Sequence, residues 1–244
     1  HMTHIVVILK AVQNHPHPCR VKKPGRSSHW GKFQAWSSKM NQGQSSGLCG
    51  NTTARRIFDP IGPGYETWSR ILSLCQDPLW RRALVRGLSL APGSRVLDVA
   101  CGTGLITRLL QKRGCTVVSL DLTPAMLTRA GQRGANCVNA GAEALPFADD
   151  CFDGLSFGYL LRYLDATMKE LARVVRPGGT VGMVEFGLPS RVWKRLWRVY
   201  TRIVLPAAGR FAGQGWPEVG AFLGPSIENF YRRLPEPELV RLWH

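Results

Sequence analysis

"RVLDVACGTGLITRLL", Arg95 to Leu110, is the stretch from which the fold is read. "RVLDVA" has the unbroken apolar character of a buried strand. A glycine turn follows, and the apolar spacing from Gly104 to Arg113 predicts a helix. A strand that ends in Gly-x-Gly and enters a helix lets a ligand approach the backbone closely, because Gly102 and Gly104 carry no side chain. A dinucleotide turn would place a third glycine where Thr107 stands, and a phosphate-binding loop would need a lysine after Gly104, where Leu105 stands. The next strand, "TVVSLD", ends in Asp121, about 20 residues beyond the turn, where an acid accepts hydrogen bonds from ribose hydroxyls. The ligand therefore reads as one with a ribose and no pyrophosphate against the turn.

Strands and helices alternate outward from this unit. "PLWRRALVRGLSL" has Leu79, Ala83, Val85 and Leu88 near helical spacing, and "APGS" ends it. "PAMLTRAGQR" predicts a helix with Pro124 in its first turn. "ANCVNA" and "FDGLSFG" predict strands, "ATMKELARVV" a helix stopped by "RPGG", and "TVGMVEF" the fifth strand. Apolar strands alternating with helices predict an α/β fold, a mainly parallel sheet with helices on both faces, whose ligand lies beyond the carboxyl ends of the strands.

The chain has 244 residues and a net charge of +16. The excess is uneven. Nine basic residues and no acid precede Asp59. Residues 1–50 are rich in Pro, Ser, Gly and Lys without apolar periodicity and read as a disordered basic arm, leaving 51–244 as the folded domain. The arm's composition also fits an organelle transit peptide, and Trp30, Phe33 and Trp36 could stack on nucleobases. Seven cysteines, at 19, 49, 75, 101, 115, 137 and 151, form no C-x-x-C pair, so no metal site is expected and the thiols read as reduced, in a cytosol-like compartment. "IVVIL", Ile5 to Leu9, is too short to span a membrane.

Taken together, "VLDVACGTG", "LDLTPAMLTRA", "GAEALPFADDCFDGLSFGYLLRYL" and "ELARVVRPGGTVGMVEFGLPS" resemble the class I S-adenosylmethionine-dependent methyltransferases, and most closely their ubiquinone/menaquinone C-methyltransferase branch. The resemblance spans roughly residues 55–243 and implies a Rossmann-like domain with S-adenosyl-L-methionine as cofactor. It places Asp98, Ala100, Gly102 and Gly104 at the cofactor's amino-acid end and Asp121 on the ribose. Leu122, Met126 and Ala142 fall around the adenine, with Phe157 closing the far wall. Where the family often has an acid before that alanine, this chain has Gly141, with Glu143 nearby. Tyr65, Arg162 and Glu185 are the candidates for catalysis: Tyr65 in the entry segment "FDPIGPGYETW", Arg162 nine positions after Asp153, and Glu185 at the end of the fifth strand. The branch's Arg-Asn-Val is Arg-Tyr-Leu here, with Tyr163 in place of Asn.

The implied function is methyl transfer to a small or lipophilic acceptor such as a polyprenyl quinol precursor. Two other readings stand beside it: a small-molecule methyltransferase of specialised metabolism, and a non-catalytic adenosylmethionine-binding or nucleic-acid-associated protein. The motifs of nucleobase methyltransferases are absent, which disfavours nucleic acid as acceptor. "RVWKRLWRVYTRIVLP", residues 191–206, places Trp193, Leu196, Trp197, Tyr200 and Val204 on one helical face with a basic border. That pattern suits either a substrate lid or peripheral contact with an anionic membrane. The family's fold normally closes with two more strands, the seventh antiparallel between the fifth and sixth, whereas this chain stops at "EPELVRLWH". The outer edge of the fifth strand must then face water, another chain in self-association, or the N-terminal arm.

Overall fold

The computed structural model describes the backbone of residues 4–11 and residues 55–163, 168–189, 191–213 and 215–243. Six strands form one sheet: β1 (His4–Ala11), β2 (Arg95–Val99), β3 (Thr116–Asp121), β4 (Asn136–Asn139), β5 (Phe152–Gly158) and β6 (Val175–Gly187). Their order is β1-β6-β5-β2-β3-β4. β2 to β6 run parallel, and β1 pairs antiparallel with β6 from His4↔Gly187 to Ala11↔Thr180. The helices are α1 (Tyr65–Leu72), α2 (Asp77–Gly87), α3 (Leu105–Lys112), α4 (Pro124–Gly131), α5 (Met168–Arg173), α6 (Arg191–Val199), α7 (Leu205–Ala212), α8 (Trp216–Arg233) and α9 (Glu236–Trp243).

Alternation along the central strands supplies a core on each face. Val96 and Val117 pack with Leu84 and Val85 of α2 and with Ile106 and Leu110 of α3. Leu97, Val99 and Leu120 turn the other way, onto Leu171 of α5 and Ile227 and Phe230 of α8. Successive strand side chains point to opposite faces, and both faces are covered, which is why these strands read as unbroken apolar runs. Leu97, Leu155 and Phe157 are fully buried. Truncating such a side chain to Ala costs roughly 2–5 kcal/mol.

Four expectations change. Eight residues of the expected disordered arm, His4–Ala11, form β1, which covers the outer edge of β6 and pairs its backbone. The remaining residues of the arm, with Trp30, Phe33 and Trp36, lie outside the described residues. α2 is a helix, but Leu79 is 58 % exposed and the buried face carries Asp77, Arg81, Leu84 and Val85. β6 begins at Val175, before "RPGG", with a register irregularity between its pairings to Phe152 and Gly154. Finally, residues 193, 196, 197, 200 and 204 do not share one environment. Trp197 is buried, while Trp193, Leu196 and Val204 are exposed. A π-helical stretch, Tyr200–Val204, follows α6, and the Thr201 hydroxyl donates to the Trp197 carbonyl at 2.9 Å. The wider π turn rotates the later residues out of register with the α-helical projection.

Candidate active site

The carboxyl ends of β2, β3 and β5 open into a cleft of about 850 Å³, its open mouth included. Its floor is the turn after β2. Ala100 has φ +52°, Gly102 φ +56° and Gly104 φ +80°. Gly104 caps α3, and a Cβ there would lie 3.4 Å from the Ala130 side chain. At Gly102 an added Cβ would meet nothing within 4 Å, so that glycine serves its left-handed backbone and leaves the cleft open above it.

Asp98 lies beneath this floor and is fully buried. Its carboxylate accepts the Thr107 hydroxyl at 2.7 Å and the Ser156 hydroxyl at 2.8 Å, tying α3 and β5 to β2. Thr107 has one proton and gives it to Asp98, so Ser119, 2.8 Å away, donates to Thr107. Burial pushes the Asp98 carboxyl up to about 6, with the Thr107 and Ser156 donors pulling the other way. Asp121 sits at the end of β3. One oxygen accepts the Gly102 N–H at 2.8 Å and the other the Thr123 N–H at 2.8 Å. Burial raises its carboxyl, and these backbone donors oppose the rise. Each oxygen keeps a lone pair for a second donor. Beside it, Leu120, Leu122, Met126, Ala140 and Ala142 make an apolar slot. The Glu143 carboxylate occupies the space where a side chain on residue 141 would begin.

The cleft is also lined by the aromatic side chains of Phe58, Tyr65 and Tyr159 and by Leu160. Tyr65 opens α1, and its ring lies 6.5 Å from that of Trp216 at 21°. Its neighbour Glu66 accepts the Thr103 hydroxyl at 2.8 Å and pairs with Arg133, which latches α1 to the glycine turn. Burial raises the Tyr65 phenol above its ordinary value, and Arg81 acts against that rise. The phenol is therefore a hydrogen-bond donor at neutral pH.

Among the positions singled out from sequence, Tyr65, Ala100, Gly102, Asp121, Leu122, Met126 and Ala142 line one cleft. Asp98, Gly104 and Phe157, expected to line it, are buried and absent from its lining. Arg162 and Glu185 are absent from the lining. They form a buried ion pair at 2.8 Å, and Glu185 also accepts the Leu161 N–H at 3.1 Å and the Phe186 N–H at 2.9 Å. Burial pushes the Glu185 carboxyl up, and Arg162 pulls it back. Tyr159, Phe58 and Gly158 were missed. The only sequence signal for them was their place at a strand's carboxyl end or in the aromatic entry segment. The slot, the ribose-type acid and the open glycine floor together fit S-adenosylmethionine: an apolar base, a diol and a charged amino-acid end.

A model of the ubiE/COQ5 methyltransferase family matches residues 48–236. The chain is 37% identical over 175 residues to a demethylmenaquinone methyltransferase of Corynebacterium urealyticum, covering 70% of this chain and 76% of that one. It is likewise 37% identical over 175 residues to the demethylmenaquinone methyltransferase of Mycobacterium marinum, covering 70% and 75%. Among solved structures, phosphoethanolamine N-methyltransferase 1 of Haemonchus contortus superposes with a TM-score of 0.51 at 20% identity, over 59% of this chain and 34% of that one. The last likeness shows the fold alone.

Proposed function

We propose that this chain, which belongs to the ubiE/COQ5 methyltransferase family, methylates a ring carbon of a polyprenyl quinol precursor of the demethylmenaquinone type. It is an S-adenosylmethionine-dependent methyltransferase. The observation that carries the acceptor reading is the cleft itself. Its ribose-type end at Asp121 continues into an aromatic, largely apolar end at Phe58, Tyr65 and Tyr159. An uncharged ring with a greasy tail suits that end better than a polar metabolite does. The curated relatives are named for such an acceptor.

S-adenosylmethionine supplies the methyl group and carries its own leaving group, so the chain's contribution is placement and exclusion of water. Asp121 would hold the ribose. Leu122, Met126 and Ala142 would sandwich the adenine, and Glu143 would face its amino group in place of a side chain at 141. Ala100, Gly102 and Gly104 would admit the amino-acid end, over a floor held by Asp98 and backed by Phe157. Tyr65 would donate to a ring oxygen of the acceptor, favouring the phenolate that makes the ortho ring carbon nucleophilic; that carbon takes the methyl as the C–S bond breaks, the ring C–H proton it loses returns the oxygen to a hydroxyl, and the one proton released in net, from the initial phenol, goes to solvent. Arg162 and Glu185, paired behind Leu161, would brace the loop at that end. Turnover of a short-chain demethylmenaquinol by wild type, and its loss in Tyr65→Phe with S-adenosylhomocysteine binding intact, tests this assignment.

A second observation supports peripheral contact with an anionic membrane. Leu196, Val199, Ile203 and Phe211 are exposed, at 46%, 52%, 63% and 86%. Arg195, Arg198 and Arg202 lie on the same helical stretch, the last two paired with Glu228 at 2.6 and 2.7 Å. No helix among the described residues is long and apolar enough to cross a membrane. Exposed apolar side chains beside cations on such a stretch would suit the interface plane of an anionic membrane, which would bring the cleft to a lipid-soluble acceptor.

A further inference from the structure

Tyr159 is held more tightly than a cleft-lining side chain needs to be. It follows β5 directly with φ +60°, a left-handed conformation that is disfavoured for a residue with a side chain. Its backbone N–H donates to the Val184 carbonyl at 2.8 Å, and its hydroxyl donates to Asp77 Oδ1, also at 2.8 Å. The Arg81 guanidinium lies 5.2 Å from the ring centroid. Phe186 stacks on the ring at 4.3 Å and 20°, and Arg162 lies over Phe186 at 5.3 Å. The column Arg81–Tyr159–Phe186–Arg162 thus joins two buried ion pairs, because Arg81 Nε reaches both Asp77 oxygens at 2.9 and 2.8 Å.

That arrangement is a poor way to gain stability alone. A buried ion pair loses much of its attraction to desolvation, and an apolar replacement is often as stable. Here Arg81 Nη2 is also buried without a hydrogen-bond partner among the described residues. What the pair does achieve is geometric. It fixes the Tyr159 hydroxyl while Arg81 and Phe186 cover the two ring faces, so the ring presents an edge to the cleft as a rigid wall. Burial and the nearby Asp77 charge hold the phenol well above its ordinary value, which keeps it a donor to Asp77.

We propose that Tyr159 is a specificity-determining wall against which the acceptor ring is aligned, and that the buried Asp77–Arg81 pair positions it. The proposal rests on the acceptor reading above. In-line methyl transfer requires the reacting atoms about 3–3.5 Å apart and aligned. Loosening this wall therefore costs turnover more than affinity for the cofactor.

The test uses the full chain loaded with S-adenosylhomocysteine or S-adenosylmethionine, with a short-chain demethylmenaquinol as acceptor. Tyr159→Phe keeps the ring and removes only the tether. It should lower kcat about tenfold while S-adenosylhomocysteine affinity stays within twofold. Asp77→Asn added to Tyr159→Phe should lower kcat less than twofold further, because both changes cut the same tether. Backbone hydrogen exchange at 158–162 should rise in Tyr159→Phe, a readout that needs no acceptor. Should Asp77→Asn fail to fold, Tyr159→Leu, losing more kcat than Tyr159→Phe at equal cofactor affinity, carries the same test. A Tyr159→Phe enzyme within twofold of wild type in kcat, with unchanged exchange, overturns the proposal. So do multiplicative effects of the two changes. If wild type leaves the naphthoquinol unmethylated, the acceptor reading fails on its own and the exchange result still decides the positioning role.

Discussion

Replacing Asp121 with Asn changes little in shape and everything in hydrogen-bond polarity. Both carboxylate oxygens are already engaged, one by the Gly102 N–H and one by the Thr123 N–H, each at 2.8 Å. An amide has one acceptor oxygen and one NH2 group. Whichever way the substituted amide turns, one backbone N–H faces a donor and loses its partner. Hydrogen bonds to charged groups are worth about 1.5–3 kcal/mol each, and an unmet buried donor costs about 1–3 kcal/mol. Asp121 is 7% exposed, so water relieves little of that cost. The ribose hydroxyls would also exchange a charged acceptor for at most one neutral one. The loss of cofactor affinity should therefore be about 1.5–3 kcal/mol, roughly 10- to 150-fold in Kd. Titration calorimetry with S-adenosylhomocysteine reads this directly, with melting of the free protein as a control for the turn's own loss. Binding by Asp121→Asn within threefold of wild type would refute the ribose role and the reasoning about shared lone pairs.

Further outcomes follow from other parts of the molecule. Asp98, raised to about 6 by burial, binds its proton more tightly folded than unfolded, where an aspartate titrates near about 3.9. Wild type should therefore lose stability relative to Asp98→Asn as pH rises from about 4 to about 6, and the difference should be flat above that window; paired melting curves across pH check the sign. Leu196→Ser with Ile203→Ser should weaken sedimentation with phosphatidylglycerol vesicles about tenfold, and added salt should weaken wild-type binding too; equal sedimentation with phosphatidylcholine and phosphatidylglycerol vesicles would count against membrane contact. Deleting residues 1–11 strips β1 from the outer edge of β6, so light scattering should show self-association with cofactor binding retained; a monodisperse monomer of unchanged melting temperature would contradict that role for β1.

The sheet was legible because it obeys local rules. The sequence limits of "TVVSLD" and "FDGLSFG" coincide with β3 and β5. The glycine-turn part of the cleft was legible because a glycine turn and an acid at a neighbouring strand end are both sequence-local, and parallel pairing brings them together. The aromatic part was not. Asp77 and Arg81 sit on the buried face of α2, where a periodicity reading seeks apolar residues, so Leu79 and Ala83 were turned inward instead. Arg81 reaching Asp77, with Ser69 and Tyr159 donating to the same carboxylate, Tyr159 from 82 residues away, makes that burial tolerable. Such a contact has no signature along the chain. Arg162 and Glu185 illustrate the converse. Each looked poised for the cleft, and the two instead pair with each other. β1 was hidden because an edge strand paired through its backbone needs no particular composition, and "IVVIL" is short. The π turn at Tyr200–Val204 broke the helical projection that had grouped Trp193 with Trp197.

The most direct test of the account supplies deuteromethyl-labelled S-adenosylmethionine and a short-chain demethylmenaquinol, kept reduced, to the full chain and follows the label by NMR and mass spectrometry. The account predicts one labelled methyl on a ring carbon per turnover, with S-adenosylhomocysteine formed in equal amount. Label on an oxygen, or S-adenosylmethionine bound at the Asp121 cleft with no label reaching the quinol, would contradict it.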